Sequence, residues 1–82
     1  MDEALTRFWF SSPGRWGVGV SAYSLEDARA MIGAEESLRD YVLTEVIEDI
    51  DIQNLDQDHV VPNMGTPSFR AIWFPNITVL VA

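Results

Sequence analysis

Apolar residues in this chain recur first at every second position, then at helical spacing, then at every second position again. The first strand is predicted over Leu5–Phe10, where Phe8 and Phe10 share one face and Trp9 takes the other. Three adjacent aromatics call for cover on both faces. Ser11-Ser12-Pro13-Gly14-Arg15 reads as a turn, because proline presets one backbone angle and glycine accepts the left-handed one. Trp16–Tyr23 follows as a second strand, completing a hairpin. Trp16, Val18, Val20 and Ala22 fall on one face, and Gly17, Gly19 and Ser21 on the other. A face so small implies close packing against the backbone, most simply by a helix or another strand.

Ser24 is placed to cap a helix, and Glu26 and Asp27 suit the positive end of its dipole. Leu25, Ala28, Met31 and Ile32 make its apolar stripe, and Gly33 closes it. A short second helical segment is predicted over Glu35–Tyr41, with Leu38 and Tyr41 inward and Glu35 set to pair with Arg39. Val42–Ile52 reads as the third strand. Its face of Leu43, Glu45, Ile47, Asp49 and Asp51 is acidic enough to mark an edge. Gln53–Gly65 is a long connection of the kind that often carries function. Ser68–Phe74 is the fourth strand, with Phe69, Ala71 and Trp73 opposed to Arg70, Ile72 and Phe74. Residues 76–82 form an apolar tail, an extra strand or a dimer contact. The order β-β-α-β-β predicts an α+β fold, a single antiparallel sheet of four or five strands backed by one helix.

With 82 residues the chain makes a single domain, 1–82. A chain of this size buries about 60–65% of its unfolded surface, so each large apolar residue counts. It has no cysteine, which excludes disulfides and thiolate metal sites. Thirteen acids against five bases give a net charge of −8. All five bases are arginine, so chemistry on a lysine amine is excluded. The charge opposes direct binding to nucleic acid or an anionic membrane, and it suits a basic protein partner. Residues 1–10 lack the pattern of a signal peptide, and no apolar run nears membrane-spanning length. A cytoplasmic location is the expectation.

The acids Glu45, Glu48, Asp49, Asp51, Asp56 and Asp58 together with His59 are the most chemical-looking group. An EF-hand alignment from Asp49 fails, with Asn54 where glycine is needed and Val60 where the bidentate acid belongs. Asp56, Asp58 and His59 are the candidates for a carboxylate–imidazole metal site, and a single histidine argues against tight zinc binding. His59 has Thr66 and Ser68 as its nearest hydroxyls in sequence, neither on a strand-to-helix elbow. No catalytic residue and no cofactor is therefore expected. Gly14, Gly17 and Gly19 enter a strand and so read as turn and packing residues, not as a phosphate loop.

The run Val46-Ile47-Glu48-Asp49-Ile50-Asp51, then Leu55-Asp56, His59-Val60-Val61-Pro62-Asn63-Met64-Gly65, Arg70 and Trp73-Phe74-Pro75 resembles a family of small uncharacterised bacterial proteins. The likeness extends to Arg7-Phe8-Trp9-Phe10 and to Ala22–Ala28. It implies a stand-alone bacterial domain and carries over no activity, cofactor or partner. The functional expectation comes from the residues. It is a non-catalytic protein-binding module, an inhibitor, immunity-type protein or adaptor, that meets a basic partner through Asp56, Asp58, His59, Asn63, Met64, Arg70 and Trp73. That partner is itself expected to include nucleic-acid-binding proteins. The competing expectations are a homodimer, and a small metal- or ligand-dependent enzyme subunit using His59 with Asp56 and Asp58.

Overall fold

The computed structural model of the protein describes residues 4–75, so the expected fifth strand or dimer contact at 76–82 lies outside the described residues. The hairpin forms from β1 (Thr6–Ser11) and β2 (Val18–Ala22), with Phe8 opposite Val20 and Phe10 opposite Val18. The Arg15 amide donates to the Ser12 carbonyl at 3.0 Å and closes the turn. The strand begins at Val18 and not at Trp16. Gly17 has φ +122°, a conformation a side chain rarely tolerates, and there the extended run breaks. Trp16 is thereby released from the Val18–Val20 face and stands 52% exposed.

Helix α1 (Leu25–Gly33) follows at once. The Ser24 hydroxyl accepts from the Asp27 amide at 3.0 Å, satisfying one of the free donors of the first turn. Ala28 and Ile32 are buried, and Leu25 and Met31 pack beside them, as the stripe predicts. Gly33 ends the helix without a left-handed cap, since Ala34 at the C-cap stays right-handed. The predicted Glu35–Tyr41 segment reduces to a single 3₁₀ turn over Glu36–Leu38, and Arg39 pairs with Glu36 instead of Glu35.

β3 (Glu45–Glu48) is shorter than the predicted Val42–Ile52. Asp49 has φ +57° and ends the extended run, although backbone bonds from Thr44 to Ser11 and from Ile50 to Arg7 continue contact with β1 on either side. β4 (Ala71–Phe74) completes a four-stranded antiparallel sheet in the order β3-β1-β2-β4. β2 and β3 each run antiparallel to β1 and so point the same way, with α1 carrying the chain back between them. The α+β class and the single sheet agree with expectation.

The sheet is covered on both faces. Under α1 lie Phe8, Phe10, Val18, Val20, Ala22 and Ile72, joined by Leu38. On the opposite face Trp9, Trp73 and Phe74 are covered by Ile50, Leu55 and Val60 from the β3–β4 connection. The predicted long loop therefore contributes to the second core cluster, with Leu55 and Val60 buried and Val61 and Met64 packed beside them. The small face of β2 receives indoles in place of the expected helix or strand. A Cβ at Gly19 would overlap the Trp73 ring, and one at Gly17 would fall 2.7 Å from the Trp9 ring. Trp73 Nε1 donates to Ser21 Oγ at 3.1 Å, and Ser21 in turn donates to the Pro67 carbonyl at 2.6 Å. Burying an aromatic removes about 150–250 Å² from water, an upper estimate of roughly 4–6 kcal/mol per ring.

One residue of slippage explains a further departure. Ile72 pairs with Val20 and Phe74 with Gly19, so two steps on β4 match one on β2 and Trp73 is the bulged residue. The bulge puts Trp73 and Phe74 in the same cluster, whereas strict alternation would separate them.

Candidate functional site

The β3–β4 connection is shaped by side chains bonding to nearby backbone. Asp51 Oδ1 accepts from the Gln53 amide at 3.0 Å and starts a 3₁₀ turn over Ile52–Asn54. Gln57 Nε2 donates to the Ile52 and Leu55 carbonyls, each at 2.9 Å, and straps that turn. Asp56 organises the next one. Its Oδ1 accepts from the amides of Asp58 at 2.9 Å and His59 at 2.7 Å, and its carbonyl accepts from Val60 and Val61. Those bonds favour the ionised form. The His59 amide chiefly holds the Asp56 carboxyl below its usual range, against partial desolvation and with help from the Asp58 amide and the His59 ring.

The same Oδ1 lies 3.2 Å from His59 Nδ1. An ionised carboxylate only accepts, so Nδ1 carries the proton in this pair. Asn63 Nδ2 donates to the His59 carbonyl at 2.8 Å, at the end of a 3₁₀ turn over Val61–Asn63. With its backbone and ring both held, His59 stacks against Trp16, ring centroids 4.5 Å apart and planes 15° from parallel. The stack forms an exposed ridge. On one side lies an open groove of about 450 Å³, lined by Trp16, His59, Pro62, Asn63, Phe74 and Pro75. Trp16 also borders a smaller recess of about 200 Å³, whose lining includes Trp9, Ile47, Ile50, Leu55, Val60 and the carboxylate-bearing Asp56.

The structure divides the expected contact residues into three groups. Asp56, His59 and Asn63 come together as described, and Asp58 sits exposed in the same turn. Met64 is half-buried against the indole cluster. Trp73 is 1% exposed, so its ring belongs to the core and cannot itself meet a partner on the surface of this fold. Arg70 points elsewhere. Its guanidinium makes two bonds to Asp27, at 2.9 and 2.5 Å, and lies 5.7 Å from the Tyr23 ring centre. That guanidinium brings the Asp27 carboxyl down to about 2, against a smaller opposing effect of burial and with help from the Tyr23 amide.

Trp16 is the site residue the alternation rule misplaces. The available signal is glycine at position 17, three residues after the glycine of the Pro13-Gly14 turn, since glycine weakens a strand. Among the described residues no group of three or more histidine or acidic side chains converges to hold a metal ion. Nor is any helix of the described residues long and apolar enough to cross a membrane. No protein-family model matches the chain, and neither a curated protein nor a solved structure matches it.

Proposed function

We propose that the protein is a non-catalytic binding module, of the inhibitor, immunity-type or adaptor kind, that engages a basic protein partner across the Trp16–His59 ridge. The carrying observation is that ridge. A half-exposed indole is fixed by stacking on a histidine whose own ring and backbone are tied to Asp56 and Asn63. Rigid, exposed aromatics contribute contact area at little entropic cost, and they are enriched where binding energy concentrates. Charge supports the choice of partner. Six carboxylates lie between Glu45 and Asp58 without one arginine among them, which favours fast encounter with a cationic surface.

A short arginine-rich peptide titrated into the protein at low salt tests this reading. Binding is expected to weaken by on the order of tenfold or more in Trp16→Ala, a hot-spot-sized loss. Glu36→Gln, which removes a charge away from the ridge, should leave it unchanged. Equal binding by wild type and Trp16→Ala would overturn the assignment of the ridge. The Asp56–His59 pair favours a second reading, a small metal- or ligand-dependent enzyme subunit. Thermal melts with EDTA and with added divalent ions separate the two for a metal-dependent activity, since a metal held by the folded state raises the midpoint with concentration.

A further inference from the structure

Resting on the binding reading above, we infer that the recess between Trp16 and Asp56 is a seat for one arginine side chain of the partner. Its floor is apolar and closed: Ile50, Leu55 and Val60 are 5%, 6% and 1% exposed. A methylene stem lies favourably on such a surface while its charged head stays at the rim. The Trp16 indole forms one wall, and indole is the best side-chain partner for a cation above its face. Asp56 supplies the opposite charge. Its Oδ1 takes all three of the hydrogen bonds made to its carboxylate, and among the described residues none goes to Oδ2. A carboxylate has lone pairs on both oxygens, so Oδ2 remains an acceptor. At about 200 Å³ the recess admits a side chain and excludes a folded element.

The protein already uses this arrangement on itself. Arg70 sits between the Tyr23 ring and the Asp27 carboxylate. The recess presents the same pair of groups, an aromatic ring and a carboxylate, with no arginine of the chain assigned to it. Arg7 bonds to the Ile50 carbonyl, Arg15 covers Tyr41, Arg29 lies over Phe10 and Arg39 pairs with Glu36. A guanidinium suits the seat better than an ammonium, because its plane stacks on indole while its edge donates to a carboxylate.

Proton–nitrogen NMR of the wild-type protein tests the seat, with N-acetyl-arginine amide and its uncharged isostere N-acetyl-citrulline amide as probes. The arginine probe should shift the Trp16 indole and Asn54 amide signals saturably, and the citrulline probe should not. Asp56→Asn keeps a carbonyl oxygen to accept the turn amides and removes the charge. It should weaken the arginine probe by on the order of tenfold. An unchanged signal from the buried Trp73 indole proton would show that this variant remains folded. Trp16→Leu, at a half-exposed position, should weaken the probe comparably. Equal shifts from both probes would overturn the seat. An arginine-rich peptide that binds wild type and Asp56→Asn equally would also overturn it while leaving the ridge as the binding face. A peptide that fails to bind wild type would overturn both.

Discussion

Trp9 and Trp73 lie with ring centroids 6.0 Å apart over a strip of β2 backbone whose side chains are nothing larger than a serine hydroxymethyl. That strip is what the indoles require, so the two sets of residues constrain each other. Gly19→Ala would force a methyl group into the Trp73 ring, and overpacking of this kind costs about 1–3 kcal/mol. Urea melts should show the loss. Trp73→Ala would empty the centre of the same cluster and is expected to cost about 3–5 kcal/mol. Its far-UV circular dichroism and melting curve should report an unfolded or barely folded chain, and lost binding in this variant would say nothing about a contact surface. The small face of β2 was legible in the sequence as a site of close approach. The occupant was not, because small residues admit an indole as readily as a backbone, and alternation alone does not name the partner.

At the scale of elements, the helix was the most legible part, since cap, dipole charges and stripe all agree within nine residues. The Asp27–Arg70 pair then ties its first turn to the segment just before β4, across 43 positions that no local pattern relates. The folded-state carboxyl of Asp27 is depressed to about 2, below an unfolded value of about 3.9. Its contribution is therefore fully present above about pH 4 and is lost as pH falls through about 2. Asp27→Asn should melt lower than wild type near neutral pH, with the gap closing across that acidic window. A gap that persists unchanged at pH 2 would refute the linkage. Strand limits were less legible. β3 stops at Glu48 because Asp49 takes a left-handed conformation, and β4 changes face through a bulge; neither event alters the apolar pattern that the alternation rule reads. The same weakness hid Trp16 from the candidate site, whereas Asp56, His59 and Asn63 were found because turn chemistry is local.

For the molecule as a whole, the acid-rich run from Glu45 to Asp58 gives two responses to salt of opposite sign. Raising ionic strength from about 0.01 M to about 0.15 M shortens the screening length from about 30 Å to about 8 Å. Repulsion within that run weakens, so the melting midpoint of the free protein should rise. Attraction to a cationic partner weakens too, so binding to an arginine-rich peptide should fall over the same range. A midpoint that falls with salt would mean that attractive pairs outweigh the uncompensated acids. The architecture sets where those acids can be felt. α1 crosses one side of the sheet and the β3–β4 connection crosses the other, so the charged segment lies over the indole core and not beside it.

The connection between β3 and β4 is also tethered from within, where the Gly65 amide donates to the Trp73 carbonyl at 2.6 Å. It acts as a lid over the paired indoles as well as a display for His59. Whatever clasps it from outside would hold it shut. Occupancy at the surface should then be felt inside, as slower replacement of the Trp73 ring proton by solvent deuterium.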